Sequence, residues 1–367
     1  MQNRNYLTRE EALNAPSGAL ELKTCPQCGF SFNSKFDPAA LSYDENYDNS
    51  ATSPVLISYY RKIATYLYGK YHLKDRWIVE IGCGKGVFLR IFTEMFPDAR
   101  GLGIDPSYTG DASPRDNLVF VGDAFKKEYL PTRPGLIVAR HVIEHIPSPV
   151  KLLMSIGDGL QGSAEIPCFF EVPDLWWILK NNAFWDFCYE HCNYFTPETF
   201  SNMLAASGYS ATSIQTQFGG QYIWAEALTG KRTALKSNDL SALLRAVEDY
   251  SKSENEIINR AKASIELIRK TSRTIAVWGM ATKGILFTYL LDPAGKSMDY
   301  CIDTSDSKHG RFAPLTGYPI NPPSILQKTK GPLAVIIMNP IYATEIREAL
   351  SEREGPITFT DAFGKSL

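Results

Sequence analysis

Histidine is scarce in this chain, five among 367 residues, and charge of either sign nearly cancels. Lys and Arg number 38 against 40 Asp and Glu, a formal net charge of −2, so no broad basic surface argues for a nucleic-acid partner. Long apolar runs are missing too. The run Leu333–Met338 is among the longest, far short of the roughly 18 residues that span a bilayer. The opening Met1-Gln2-Asn3-Arg4-Asn5 holds no apolar signal segment, so the expectation is a cytoplasmic protein with no membrane association. Seven cysteines, an odd number scattered over a large chain, read as reduced thiols rather than a disulfide framework. There is no low-complexity tract and no usable internal repeat. At roughly 100–200 residues per domain, the length leaves room for two or three domains, each with its own core.

Four segments separate by pattern. Residues 1–50 are polar and irregular, with one Cys-x-x-Cys (Cys25, Cys28) before Gly29; loops with little independent core are expected there. Residues 51–228 open on Ser53-Pro54, an N-cap followed by Pro at the first helical position. The runs Trp77–Ile81, Leu102–Ile104, Leu118–Val121, Leu136–Ala139 and Cys168–Val172 follow, each short, apolar and bounded by turn residues. That is how strands buried on both faces of a parallel sheet read. Helical stretches near 87–96 and 150–157 lie between them, which makes the segment α/β and doubly wound. Residues 229–273 are charge-rich with apolar residues at helical spacing, a helical linker of one long helix or a pair. Residues 274–367 restart the strand–helix alternation as a second, smaller Rossmann-like α/β unit.

The segment Val79-Glu80-Ile81-Gly82-Cys83-Gly84-Lys85-Gly86 follows a strand and opens a helix. Alternate glycines allow a tight turn that a ligand can approach closely, and the helix N-terminus offers unpaired N–H groups. The spacing is not the Gly-x-Gly-x-x-Gly of dinucleotide sites. Asp105 ends the next strand, where a carboxylate can take ribose hydroxyls. Asp123, before Ala124, ends the third. Taken singly, each acid is equally well a helix cap or a solvated turn; together they mark a nucleoside-type site. These residues resemble the class I S-adenosylmethionine-dependent methyltransferases. The resemblance implies that Gly82, Cys83, Gly84 and Gly86 wrap the methionine end of the cofactor, with Glu80 supporting the loop. It also implies Asp105 on the ribose and Asp123 and Ala124 near adenine.

Two histidine clusters remain. His141-Val142-Ile143-Glu144-His145 matches a metalloprotease string, but zinc would need both imidazoles on one helix face. Here a strand precedes the string and Ile146-Pro147 cuts it off. A strand-end loop at the ligand crevice is the better fit, with His145 either lining a pocket or satisfied structurally. The second cluster, Tyr189-Glu190-His191-Cys192-Asn193-Tyr194-Phe195, sets His191 among aromatics and acids. Methylating carbon requires removal of a proton beside a carbonyl, a task suited to an imidazole with an ordinary pKa near 6.5. A loop histidine bonded to Glu190 or to backbone is the alternative.

The order of features resembles the sugar C-methyltransferase family more closely still. The residues that carry this are Cys25-Pro26-Gln27-Cys28-Gly29, Glu144-His145-Ile146, Glu190-His191 with Tyr194-Phe195, and Val277-Trp278-Gly279-Met280-Ala281-Thr282-Lys283-Gly284. The resemblance implies an N-terminal zinc-type module, a methyltransferase core and a C-terminal C-methyltransferase domain, acting on a nucleotide-linked keto-sugar. His191 would be the base, His145 and Tyr189 would line the substrate pocket, and Tyr47 would reach in from the N-terminal segment. Lys283 would meet a phosphate, or else be a solvated loop lysine. Two features depart from the family pattern: one Cys-x-x-Cys pair stands where two are usual, leaving Cys25 and Cys28 as a half-site for zinc. Cys188 also stands where members often carry Tyr. Three readings follow: C-methylation of a keto-sugar, O- or N-methylation of a small molecule, and a non-catalytic nucleotide-binding protein.

Overall fold

A computed structural model of the chain describes residue 4 and residues 6–41, 53–160, 165–230, 239–272 and 274–367. Tyr47 lies outside the described residues.

The first segment is more structured than its composition implies. Helix α1 (Arg9–Leu13) is closed by a reciprocal Thr8–Glu11 capping box, and it docks on the far end of the chain, where Leu315 N–H donates to the Ala12 carbonyl at 2.7 Å. Strands β1 (Leu22–Thr24) and β2 (Ser31–Asn33) form an antiparallel hairpin, turned by Cys25–Gly29. Three-residue strands are too short to show a period, so loops were the natural expectation from sequence.

Helix α2 (Pro54–Tyr71) starts as expected, with the Ser53 side chain accepting from Leu56 N–H and Pro54 at the first turn. It buries Leu56, Tyr59, Ile63, Ala64 and Leu67, a stripe at helical spacing. β3 (Trp77–Ile81), α3 (Val87–Met95), β4 (Arg100–Ile104), β5 (Leu118–Val121), β6 (Leu136–Arg140), α4 (Pro149–Gly159) and β7 (Pro167–Pro173) follow. α5 (Leu175–Lys180), the two-residue β8 (Asn193–Tyr194) and α6 (Pro197–Ala206) come next. β8 leaves the main sheet and pairs with β2, Ser31 opposite Tyr194. The N-terminal hairpin thus clamps the segment that carries His191.

The main sheet also contains two strands that the apolar runs did not reveal, β9 (Tyr209–Gln217) and β10 (Tyr222–Thr229), both antiparallel. β9 is rich in Ser, Thr and Gln, and β10 is interrupted by Glu226, a buried carboxylate satisfied by Tyr66, Tyr71 and Lys70. The order is β5-β4-β3-β6-β7-β10-β9. Strand order reverses between β3 and β6, and the crevice beyond their carboxyl ends is where ligands bind in such sheets.

The linker is one helix, α7 (Ser241–Thr271), buried at Leu243, Ile257, Ala261 and Ile265. β11 (Thr274–Trp278), α8 (Thr282–Leu291), β12 (Tyr300–Ile302), β13 (Ile320–Asn321), β14 (Leu333–Ile337) and β15 (Ile357–Thr360) complete the chain. This second sheet is wholly parallel, ordered β13-β12-β11-β14-β15. Its reversal lies between β11 and β14. The two units share one core, in which Phe184, Trp185 and Ile178 meet Ile257, Phe287 and Met280. Gln221 and Asn339 exchange two amide hydrogen bonds of 3.0 Å across the junction.

The loops after β3 and β11 repeat one geometry. Gly82 and Cys83 N–H both point at the Ile104 carbonyl (2.8 and 3.4 Å), as Gly279 and Met280 do at that of Ile302 (2.8 and 3.3 Å). Asp105 and Asp303 follow, each accepting from a Ser N–H two residues on, at 2.7 and 2.9 Å.

Candidate active site

The first cavity lies on the Gly-rich loop and is lined by Glu80, Gly82, Cys83, Gly84, Lys85, Asp105, Ser107, Arg140, His141 and His145, among others. Gly82, Gly84 and Gly86 all have positive φ (72°, 54° and 77°). A Cβ on Gly82 would meet Val142 at 2.1 Å, whereas one on Gly84 would meet nothing within 4 Å. Gly82 therefore lets the next loop approach, and Gly84 keeps backbone open to a ligand. Asp105 accepts from Gly84 N–H (2.8 Å) and from the N–H and hydroxyl of Ser107 (both 2.7 Å). A carboxylate has about four acceptor positions, so it retains capacity for a ribose hydroxyl. Glu80 lies buried under the loop, its Oε2 without a hydrogen-bond partner and its Oε1 3.8 Å from Arg140. Burial pushes its carboxyl up to about 8, with Asp105 and Glu171 adding to the rise against Arg140. An orphaned buried acid beside the open space at Gly84 fits the ammonium of an amino-acid ligand.

Beneath that cavity lies a charge cluster that the sequence reading missed. Glu171, fully buried, accepts from Arg140 Nε and Nη2 (3.2 and 3.1 Å), Trp224 Nε1 (2.7 Å) and the Tyr59 hydroxyl. His141 Nε2 lies 3.0 Å from the same carboxylate, while its Nδ1 is 3.4 Å from Glu144. Burial works against ionising Glu171, but Arg140 and His141 outweigh it and hold the carboxyl down at about 2. Burial likewise disfavours the His141 imidazolium, yet Glu144 and Glu171 raise it to about 9. His141 is also one of few non-glycine residues with φ near +54°, a conformation that costs about 1–2 kcal/mol. The strain places its ring between the two acids.

The second cavity opens between the carboxyl ends of both sheets. Tyr60, His141 and His145 line it and the first cavity alike. Glu144, Glu190, His191, Tyr222, Trp177, Asp186 and, from the other unit, Trp278, Lys283, Lys308 and Asn339 complete much of its wall. The string 141–145 forms a single 3-10 turn at Ile143–His145, too short to present two imidazoles to zinc as a helix does. Asn193 Nδ2 pins it by donating to the Ile146 carbonyl at 2.7 Å. His145 Nδ1 donates to the Glu190 carbonyl at 2.9 Å, and its ring stands edge-on to His191 with centroids 4.8 Å apart. His191 Nδ1 is buried with no hydrogen-bond partner. Burial, then the neighbouring His145, His141 and Lys283, push this imidazole well below its ordinary value, so it is neutral at physiological pH. Ligand atoms of Glu144, His145 and His191 lie within 4.8 Å of one another.

The structure does not bring every sequence candidate into these cavities. Asp123 accepts from Lys126, Tyr129 and Ala124 N–H, and neither it nor Ala124 lines the first cavity. Gly86 caps α3, where a Cβ would strike Phe120 at 2.4 Å. Tyr189 stacks near Phe36, and its hydroxyl accepts from Asp37 N–H at 2.8 Å, away from the second cavity. Lys283 is neither solvated nor unpaired: it forms an ion pair with Asp186 and sits over Trp177. Cys25 Sγ donates to Gln27 at 3.0 Å. Among the described residues no cluster of three or more ligands includes Cys25 or Cys28, so the four-ligand requirement of structural zinc is not met there. No helix among them is long and apolar enough to cross a membrane.

The chain is 25% identical over 322 residues to the C-methyltransferase NovU of Streptomyces niveus, covering 82% of this chain and 76% of that one. Among solved structures it is similar to a Burkholderia thailandensis 1,6-didemethyltoxoflavin-N1-methyltransferase with bound S-adenosylhomocysteine (14% identity, TM-score 0.39, 57% of this chain and 100% of that one). It is also similar to a Synechocystis magnesium protoporphyrin IX methyltransferase (12% identity, TM-score 0.38, 50% and 91%). Residues 56–214 match the family described as a methyltransferase domain, and residues 231–356 match the C-methyltransferase C-terminal domain. With both matches on one chain, this protein is an S-adenosylmethionine-dependent methyltransferase with a C-methyltransferase C-terminal domain.

Proposed function

We propose that the enzyme, working in the cytoplasm, methylates a carbon beside the ketone of a nucleotide-linked keto-sugar, with His191 as the base. The observation that supports this is the shared wall: the cofactor cavity and the second cavity meet at Tyr60, His141 and His145, with His191 in the wall of the second. S-adenosylmethionine, when bound, supplies an electrophilic methyl group. Gly82, Cys83 and Gly84 would hold its amino-acid end, with Glu80 as partner for the ammonium and Asp105 for the ribose. His191, neutral through burial, takes the proton from the carbon alpha to the carbonyl. The C–H electron pair becomes the enolate, and that carbon forms the new C–C bond as the S–CH3 bond breaks. His145 lines the junction. Lys283 offers a cation to the diphosphate once Asp186 releases it, and Trp177, Trp278 and Tyr222 offer ring faces to the sugar and base. Tyr189 acts by bracing the N-terminal segment through Asp37. The same reading divides the chain into an N-terminal module (1–50), a methyltransferase domain (51–228), a linker (229–273) and a C-terminal domain (274–367).

The test is methyl-labelled S-adenosylmethionine in heavy water with a panel of nucleotide-linked 4-keto-sugars, followed by NMR. Label on carbon, with alpha-proton exchange lost in His191→Asn, is the expected result. Label on oxygen or nitrogen overturns the base assignment and leaves heteroatom methylation on the same scaffold.

A further inference from the structure

Glu171, His141 and Glu144 form a series that leads from beneath the first cavity to the His145–His191 pair. Glu171, anchored by Arg140, Trp224 and Tyr59, holds His141 Nε2; His141 Nδ1 faces Glu144 Oε1 at 3.4 Å. Beyond Glu144 stand the His145 and His191 rings. Glu144 is 1% exposed, and neither carboxylate oxygen has a hydrogen-bond partner. A carboxyl group so placed has a desolvation cost that nothing structural offsets, apart from the single ionic contact with His141.

We propose that His141 and Glu144 are positioning residues: the His141 cation fixes the Glu144 carboxylate beside the His145–His191 pair, where it compensates the imidazolium formed when the base takes the acceptor's proton. The proposal rests on the reading of His191 as that base. In the resting enzyme Glu171 is negative, His141 positive and His191 neutral, with the Glu144 carboxyl standing between His141 and His191. When the proton arrives on His191, Glu144 is a counter-charge within 4.8 Å. The strained backbone at His141 (φ 54°) has a reason in this arrangement, since only that conformation is seen to put one ring between acids from β7 and from the following turn. The other groups bearing on the pair are Lys283 from α8, which opposes its protonation, and Glu190 and Tyr194 from its own segment. Facing His141 are Arg140 on β6 and Tyr222 on β10.

The five histidines make the test tractable, because each imidazole can be followed by nitrogen-15 NMR in the S-adenosylhomocysteine complex. The expected result is a doubly protonated His141 ring at neutral pH beside a neutral His191. In Glu144→Gln the His141 titration should fall by about one pH unit or more, as loss of an adjacent opposite charge requires. With the labelled-methyl assay, Glu144→Gln should lower kcat roughly 100-fold with KM nearly unchanged, within the range ascribed to proton-transfer assistance. The acid limb of the kcat profile should move to lower pH in Glu144→Gln and to higher pH in His141→Gln, a pair of opposite shifts that a merely structural role would not produce. Glu144→Asp should restore part of kcat. An unmoved His141 titration, or shifts of the same sign, overturns the proposal. So does a stoichiometric metal ion, measured by elemental analysis, that is lost in both Glu144→Gln and His191→Asn. If His191→Asn retains full C-methylation, the reading of the base has failed, whereas the His141 titration still reports on the ion pair by itself.

Discussion

Replacing Glu171 by Gln removes the charge on which the buried cluster depends while keeping its shape. The wild-type carboxylate is fully buried and takes donors from Arg140, Trp224 and Tyr59, with His141 at 3.0 Å. Burial alone would favour the protonated acid, but the neighbouring cations lower it to about 2 from an ordinary 4.5. The difference corresponds to about 3 kcal/mol. Its sign follows from linkage: the folded state holds the proton more weakly, so the stabilisation is complete above pH 4.5 and is lost as pH falls toward 2. Breaking a buried pair by removing one partner costs about 3–5 kcal/mol, because Arg140 and His141 are left uncompensated. At roughly 2–4 °C per kcal/mol for a unit of about 150–250 residues, the melting temperature of the unit that holds the cluster should drop by about 6–20 °C at pH 7. Thermal unfolding followed by circular dichroism from about pH 10 to about pH 3 is the assay. The gap between wild type and Glu171→Gln should narrow below pH 4.5. His141 adds an alkaline arm, since its folded value of about 9 lies above an ordinary 6.5. Its stabilisation is complete below pH 6.5 and is lost as pH rises through 9, and Glu171→Gln should flatten that slope. A drop under about 2 °C, or a gap independent of pH, would show that the cluster is not held by this carboxylate.

Two further outcomes concern the cofactor cavity. Glu80, pushed up to about 8, should ionise against the cofactor's ammonium, so S-adenosylhomocysteine binding at pH 7 should release most of one proton. Calorimetry in two buffers of different ionisation enthalpy measures this; affinity should rise with pH up to about 8, and Glu80→Gln should abolish both effects. Gly84→Val would place a branched side chain at φ +54° on the open side of the loop. Strain of about 1–2 kcal/mol, together with the occupied space, should weaken S-adenosylhomocysteine binding at least tenfold. Unchanged affinity would mean that the ligand does not approach this backbone.

Much of the cofactor site was legible because it is local in the chain. The strand Trp77–Ile81, the alternating glycines, the helix at Val87 and the acid at Asp105 follow one another, so spacing alone exposes the geometry. The cap at Ser53 and the long helix α7 are local in the same way. The β1–β2–β8 sheet was not legible, because its third strand comes from beyond residue 190 and has only two residues. Nor were β9 and β10: β9 is a polar, partly exposed edge strand, and Glu226 of β10 finds its partners on α2. The repeated loop geometry at Gly82 and Gly279 is carried by backbone hydrogen bonds, which unlike side chains can make equally well.

The sequence by itself determined the strand, Gly-rich turn and helix start over residues 77–95, because turn and helix-start chemistry depend on neighbours a few residues apart. Only the tertiary structure decided what the charged groups do. It paired Lys283 with Asp186, spent Asp123 within its own loop, set Tyr189 against the N-terminal segment, and put His141 between two buried acids. Ionisation depends on burial and on the charges within a few ångströms, and those come from strands far apart in the chain.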